Sequence, residues 1–312
     1  MMQLSYKTDM LRGEASAILL GGADLPARLF IPASVCLDGR EYPVREIAAH
    51  AFDGDKQLSG VIIPDSVRSL RPFSFYNCPS LRHISLTEQV RDYYDGVIRQ
   101  CSALSLIELH CEKDGRLQLL KEMLGDNDNR LRFRIYLPDG CCVLSFPAYL
   151  DNFLEDTMSR ALHESIEGSG YEYRQTVSRS GIDFWAYDRL FSRVMHDDPQ
   201  SARTIAVDRL HYPYHLSAQA EQRYRDYIAA EGEAVLRQLI SDGWPAQRDP
   251  SGLEPGESME AIQFLCAEKL LPVAAIQAVL PLCAERRLTE LTAILMNGTK
   301  QEQQAEPESF EL

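Results

Sequence analysis

Between Val44 and Leu109 one apolar pattern is written three times at a spacing of 23 residues. Ile47, Leu70 and Tyr93 share one column of this register, and Phe52, Phe75 and Ile98 share another. Leu58, Leu81 and Leu104 form a third, Val61, Ile84 and Ile107 a fourth, and Ile63, Leu86 and Leu109 a fifth. A fixed period of this length is the signature of a solenoid, in which each unit buries its apolar face only against its neighbours. A chain that repeats itself in this way must stack coil upon coil.

Each unit has a physical reading. In Leu81-Arg82-His83-Ile84-Ser85-Leu86 the apolar residues end in alternation, which predicts a short strand with Ile84 and Leu86 facing in and His83 and Ser85 facing out. Stacked units would pair these strands about 4.8 Å apart into one parallel ribbon. Pro64 follows the first such strand, where its missing N–H costs the ladder nothing. The second apolar segment, Val67-Arg68-Ser69-Leu70, turns the chain back, and Phe75 and Cys78 fill the wide end of the coil.

Ile63-Pro64-Asp65-Ser66-Val67, followed by Phe73 to Leu81 with Asn77-Cys78 inside it, resembles the BspA-like leucine-rich repeat, as does Ala51-Phe52. Upstream, Ile31-Pro32-Ala33-Ser34-Val35 repeats the same box, with a nine-residue insertion before Val44-Arg45-Glu46-Ile47. The last full unit departs from the pattern, with Thr87 in place of proline and Val97-Ile98 in place of Ala-Phe. The resemblance spans roughly residues 13–110 and implies a binding scaffold that recognises proteins or surfaces. The fold class expected for the whole chain is α+β, an N-terminal leucine-rich-repeat β-solenoid followed by an α-helical domain of helix pairs.

Four segments follow from the pattern. Residues 1–43 form an entry cap with a degenerate first repeat, in which Ala15–Leu20 and Arg28–Ile31 are strand-like and Cys36–Pro43 is a hairpin-like insertion around Asp38-Gly39. Residues 44–147 form the solenoid and a degenerate last unit. That unit has a helical stripe at Leu117, Leu119, Leu120, Met123 and Leu124, and an alternating strand over Arg130–Leu137 that aligns Ile135 with Ile107. Arg130, Arg132 and Arg134 are expected to face solvent and shield the sheet edge. From 148 to 300 the periodicity is helical: one helix through Tyr149, Phe153, Met158 and Leu162 to about Ile166, and a second starting at Phe184 and stopping near Asp198-Pro199. Further helices are expected near 200–210, 217–229, 231–241, 257–269, 272–285 and 287–297. Glu233–Gly243 is similar to the end of an ankyrin helix pair, although the Thr-Pro-Leu-His motif is absent. Residues 301–312 are expected to form a disordered, polar, acidic tail.

Charge and cysteines narrow the function. Residues 148–312 hold 27 acidic against 15 basic side chains, and residues 1–147 hold 19 against 17. An acidic face repels phosphate backbones, so nucleic acid is not an expected partner. No apolar run is long enough to span a membrane. The start, Met1 to Asp9, lacks the apolar core and cleavage site of a secretory signal, so a cytoplasmic place is expected, with a cell-surface adhesin as the alternative. The eight cysteines show no zinc-type spacing. Cys78 and Cys101, one repeat apart, are either a stacked redox pair or two buried thiols acting as small hydrophobes, and the second is favoured. Adjacent Cys141 and Cys142 should point to opposite faces of a strand.

Candidate sites lie on the repeats. Gly60, Ile62, His83, Ser85, Leu106 and Glu108 should face outward on the strand ribbon, a mixed surface suited to a protein or peptide partner unless the helical half covers it. Arg45, Arg68 and Arg91 share the 23-residue register and should stack as a basic row. The row either docks an acidic partner (or the chain's own acidic half) or is neutralised locally by Glu46 and Asp92. The groove where the halves meet is a further binding candidate. An enzyme would need another constellation. His196-Asp197-Asp198 with His211 and His215 could serve a metal-dependent hydrolase, but Pro213 interrupts a helix between the last two histidines. His-Glu-x-x-His, a phosphate-binding glycine loop and Gly-x-Ser-x-Gly are all missing, so neither cofactor nor catalytic residue is assigned. Trp185, Tyr187, Phe191, Tyr171 and Tyr173 are at helical spacing and are expected to be core. The function expected is a non-enzymatic, protein- or peptide-binding scaffold.

Overall fold

The computed structural model describes residues 2–11, 14–111, 117–156, 161–243 and 256–303. The acidic tail from 304 onward lies outside them. The chain divides into two compact units, residues 1–201 and 202–312.

The first unit opens with β1 (Gln3–Leu11) and β2 (Glu14–Ala23), an antiparallel pair. β3 (Arg28–Phe30) follows, then β4 (Ser34–Leu37) and β5 (Arg40–Ile47), which pair through a turn at Asp38-Gly39 with φ of +50° and +75°. That is the left-handed geometry a two-residue hairpin requires. Next come β6 (Gly60–Ile62), β7 (Ser69–Leu70), β8 (His83–Thr87), β9 (Asp92–Tyr93) and β10 (Leu106–His110). Strands β3, β6, β8 and β10 form the expected parallel ribbon, in which Leu29, Val61, Ile84 and Ile107 align. The segments read from the sequence as turning back are themselves strands: β2, β5, β7 and β9 make a second parallel ribbon with Ile47, Leu70 and Tyr93 in register.

Stacking is carried by the main chain. Ser59 N–H bonds Ala27 C=O at 2.7 Å, Arg82 bonds Ser59 at 2.8 Å, Ser105 bonds Arg82 at 3.1 Å and Arg132 bonds Ser105 at 2.9 Å. The leucines just before three of these donors, Leu58, Leu81 and Leu104, are therefore successive rungs, each at most 1% exposed. At the wide end the rings of Phe52 and Phe75 stack 5.1 Å apart. The Cys78 thiol donates to Phe52 C=O at 3.1 Å and Cys101 to Phe75 C=O at 3.0 Å. Both cysteines are free and fully buried. Contact with Cys101 and burial raise the Cys78 thiol above its ordinary range, so it stays a protonated donor. One corner repeats left-handed backbone at His50, Phe73 and Gly96, with φ of +57°, +60° and +73°. His50 and Phe73 carry side chains in this conformation, but a Cβ at position 96 would lie 2.3 Å from the Phe73 ring, so glycine is needed there for space.

The array is closed by a different kind of structure. Helix α1 (Gln118–Asp126) ends in a carboxylate, the wrong charge for a helix C-terminus. Its task is elsewhere. In earlier coils His50 N–H bonds Pro72 C=O and Phe73 N–H bonds Asp95 C=O, but the third donor of that column, Gly96, bonds Asp126 Oδ1 at 2.9 Å. Likewise Phe52 and Phe75 bond Ser74 and Val97, and Ile98 bonds Asp126 Oδ2 at 2.9 Å. One side chain thus stands in for two carbonyls of an absent coil. Asn127 continues the cysteine column by donating to Ile98 C=O at 3.1 Å. The Tyr93 hydroxyl donates to Asp126 at 2.8 Å, and burial together with that carboxylate raises its pKa well above the ordinary value.

β11 (Leu131–Leu137) extends the first ribbon and β12 (Gly140–Phe146) folds back antiparallel to end it. Phe133, not Ile135, sits opposite Ile107, so the last coil is two residues shorter than the sequence alignment implied. A two-residue shift preserves which side chains face in. Arg130, Arg132 and Arg134 do not guard the edge, because β12 lies outside them. Arg130 instead binds Ser201 at 2.7 Å and Asp198 at 2.9 Å. As expected, Cys142 is buried while Cys141 is half-exposed.

The helix expected over 149–166 is absent. β13 (Leu150–Asp156) and β14 (Ala161–Glu167) form an antiparallel hairpin instead. Leu162 and Ile166 are four apart, a spacing shared by one helix face and one strand face, so periodicity alone could not separate the two. Helices α2 (Gly170–Gln175), α3 (Phe184–Arg189) and α4 (Phe191–Asp197) complete the unit. Gly170 lets α2 approach closely, since a Cβ would meet Pro147 O at 2.2 Å. Arg174, 3% exposed, donates to the carbonyls of Leu124, Asn127, Asn129, Pro147 and Gly170. Burial lowers its pKa to about 10. Tyr173, Tyr187 and Phe191 are buried as expected, whereas Trp185 and Tyr171 are exposed. The Tyr187 hydroxyl donates to Ser145 C=O at 2.6 Å and accepts from Ser145 N–H at 3.0 Å, capping the main chain of β12.

Helix α5 (Pro199–His211) leads into the second unit, which holds α6 (Ala218–Gly243), α7 (Gly256–Ala267), α8 (Val273–Glu285) and α9 (Thr289–Gln303). The two helices expected at 217–229 and 231–241 are one helix, so the segment Glu233–Gly243, similar to the end of an ankyrin helix pair, is the last part of a single long helix. Gly232 marks where α8 comes close, a Cβ there lying 3.1 Å from Pro272 and 3.2 Å from Ala275. Among the described residues no helix is long and apolar enough to cross a membrane.

Replacing Asp126 by Ala strands two buried N–H groups. The expected loss is roughly 2–5 kcal/mol of unfolding free energy in urea, with a smaller loss for Asp126→Asn, which keeps one acceptor.

Candidate functional site

The inward columns of the first ribbon are committed to packing, so whatever the solenoid presents comes from the alternate residues. Opposite one another on the outer face lie Arg28, Gly60, His83, Leu106 and Arg132 in one row, and Phe30, Ile62, Ser85, Glu108 and Arg134 in the next. The six outward residues named from the sequence are therefore brought together on one face. Their exposure is uneven. Ile62 is 37% exposed and Phe30 beside it 63%, whereas His83 and Ser85 are each 9% exposed. Gly60 leaves no side chain in its row, and Arg28 and His83 lie across it.

The low exposure of the middle rungs has a cause. His83 Nε2 and Glu108 Oε2 are 3.0 Å apart. The Tyr136 hydroxyl donates to Glu108 Oε1 at 3.3 Å, and Arg134 Nη1 lies 3.6 Å from the same oxygen. The hydrogen bond from His83 lowers the Glu108 pKa, and Arg134 and Tyr136 add to this against the opposing effect of burial. The carboxylate is thus ionised at neutral pH and acts as acceptor in these contacts. His110 stacks on Tyr136 at 4.4 Å with planes 9° apart, and its Nε2 reaches Ser85 Oγ at 3.5 Å. The face is an apolar step, Phe30 and Ile62, beside a fixed polar cluster.

Phe30, His110, Arg134 and Tyr136 were not assigned to this face from the sequence. The signal was present: His110 continues the alternation of Leu106 and Glu108, and Tyr136 sits opposite His110. Recognising Tyr136 required the register of the last coil, which the sequence left two residues out.

The arginine row is stacked as expected but elsewhere. Arg68 N–H bonds Arg45 C=O at 2.8 Å and Arg91 N–H bonds Arg68 C=O at 2.9 Å, along the second ribbon. Arg45 reaches Ser66 C=O at 3.1 Å and Glu14 at 3.6 Å, and Arg68 reaches the carbonyls of Asp65 and Val67. Carbonyl dipoles thus face Arg45 and Arg68, and Glu14 faces Arg45. Glu46 is paired instead with Arg71 at 2.8 Å.

The histidines considered for a hydrolase sit in separate local contacts. His196 Nδ1 bonds Ser192 C=O at 3.0 Å, Asp197 pairs with Arg193 at 3.0 Å and Asp198 with Arg130. His211 stacks on Phe264 at 4.6 Å, and His215 has left-handed backbone beyond the helix end. Among the described residues no three His, Cys, Asp or Glu side chains converge as a metal would need.

Two stacked parallel ribbons of short strands, repeating at 23 residues with leucine columns inside, define a leucine-rich-repeat solenoid. Residues 40–114 match the BspA type leucine rich repeat region in six copies. A leucine-rich repeat protein from Bacteroides ovatus is 24% identical, with 34% of this chain and 30% of that chain covered and a TM-score of 0.30. A leucine rich cell surface protein from Faecalibacterium prausnitzii is 22% identical, with 43% and 41% covered and a TM-score of 0.29. A leucine-rich repeat protein from Bacteroides capillosus is 26% identical, with 33% and 93% covered and a TM-score of 0.26. The chain thus spans less than half the length of the first two. Comparison with curated proteins gives no match.

Glu108→Gln is expected to reduce stability to urea at pH 7 by roughly 1 kcal/mol. A carboxyl with a depressed folded pKa contributes fully above its ordinary value of 4.5 and loses that contribution as pH falls through the folded value. Wild type and variant should therefore converge as pH falls below 4.5 and through the depressed folded value; a gap independent of pH would contradict the pairing.

Proposed function

We propose that the chain is a non-catalytic scaffold that binds a protein or peptide on the outer face of its first strand ribbon. The observation that carries this is the pairing of an exposed apolar step, Phe30 and Ile62, with a polar cluster already fixed at His83, Glu108 and Tyr136. Side chains that are ordered before binding lose little entropy on it, so such a face gives affinity without rearrangement. Apolar anchors beside satisfied polar groups are also what a partner of mixed character needs. The BspA-type repeats support a scaffold rather than a chemical centre. The arginine row on the other ribbon is a secondary contact. The Arg45 and Arg68 guanidiniums already have carbonyl partners, so an acidic partner would add to that compensation and is not required by it. With a formal net charge of −14 the protein as a whole disfavours nucleic acid.

The test is capture from native lysate with wild type, Phe30→Lys/Ile62→Lys and Arg68→Glu, followed by titration of each against the partner identified. The double variant should weaken binding at least about tenfold, near 1.4 kcal/mol, with an unchanged circular dichroism spectrum, and Arg68→Glu should weaken it less. Equal binding by the double variant would remove the ribbon face from the reading.

A further inference from the structure

The ends of the two ribbons are finished differently. At the C-terminal end Tyr187 caps β12 and Asp126 caps the corner donors. At the other end, β1 is the outermost strand of the second ribbon and is hydrogen-bonded only to β2 among the described strands. It is nine residues long, against two for β7 and β9 in the same ribbon. Along it Lys7, Thr8, Asp9 and Met10 are all exposed, Met10 by 65%. A long bare edge of this kind templates pairing with another chain unless its charges forbid it.

Here the charges select a partner. Lys7 and Asp9 flank Thr8 on the same face of the strand. A twofold axis relating two antiparallel copies of a strand passes through a residue, because hydrogen-bonded and non-hydrogen-bonded pairs alternate along the ladder. With the axis at Lys7, two lysines face each other; with it at Asp9, two aspartates do. With the axis at Thr8, Lys7 of each copy lies opposite Asp9 of the other, and Tyr6 lies opposite Met10. Opposite charges directly across strands stabilise the pair, like charges oppose it, and a thioether against an aromatic ring is favourable.

We infer that β1 is a self-association edge: two copies of the chain pair β1 against β1, antiparallel about Thr8, and join their second ribbons into one continuous sheet. The contact is isologous and closes at two, so it does not propagate into a filament. The surface is separate from the ribbon face proposed for the partner, and neither depends on the other.

Charge swaps test it in the full-length chain by sedimentation equilibrium. Wild type should weigh as two chains. Lys7→Asp alone and Asp9→Lys alone each convert both cross-strand pairs from attraction to repulsion and should raise the dimer Kd roughly tenfold or more. An equimolar mixture of the two variants restores opposite charges at both pairs and should recover a dimer. Both side chains are exposed, so at a dilution where wild type is also monomeric the variants should unfold at the same temperature as wild type. A wild type that stays monomeric at roughly 100 µM, single variants with unchanged Kd, or a mixture that fails to associate would each overturn the assignment.

Discussion

The structure depends on one relation, the hydrogen bond from the main chain of each coil to the same point of its neighbour. Ser59, Arg82, Ser105 and Arg132 make it on one side of the first ribbon, and Phe52 and Phe75 make it at the wide end. Leucine and isoleucine columns fill the interior, but aliphatic packing tolerates substitution, as Tyr93 and Ile98 show by standing where Leu70 and Phe75 stand one coil earlier. Directional bonds do not. They explain why residues with side chains accept left-handed backbone at His50, Phe73, Asn77 and Gln100, a conformation that costs about 1–2 kcal/mol each for non-glycine residues.

A chain of such bonds has the same difficulty as a helix: its ends leave donors and acceptors without partners. The solution is chemical mimicry. Asp126 supplies two acceptors where a following coil would have supplied two carbonyls, Asn127 supplies the donor that Cys78 and Cys101 supply earlier, and the Tyr187 hydroxyl serves β12 in both directions. Arg174 then binds five carbonyls around this closing structure. A buried guanidinium is costly unless its donors are used, and here the carbonyls at the end of α1 and in the 127–129 turn use them.

Much of this was legible in the sequence, and the remainder was hidden for reasons that can be named. The solenoid, its rungs, the Asp38-Gly39 hairpin and the outward parity of His83, Ser85 and Glu108 follow from a period of 23 and an alternation of two. The second ribbon was missed because two of its four strands, β7 and β9, are two residues long and carry no periodicity. The 150–167 hairpin was missed because apolar residues four apart satisfy a helix and a strand equally. A break was expected at residue 230, between two helices, but α6 runs through it, and Gly232 close by records the approach of another helix. On the candidate face, Tyr136 and His110 were invisible because their meeting depends on a register of 26 residues in the last coil, which no repeat fixes. Asp126 could not be found at all: an acidic residue at a helix end has no meaning until the coil that never follows is taken into account.

Because Asp126 and Asn127 complete groups that every earlier coil also offers, the number of turns is not written into the turns themselves. It is written into the position of a terminator. Any coil ending in the Phe75 to Cys78 arrangement presents the carbonyl and N–H groups that the closing segment recognises. Lengthening or shortening the protein by whole coils therefore needs no new stopping device, and insertion of a fraction of a coil would leave the same device facing the wrong atoms.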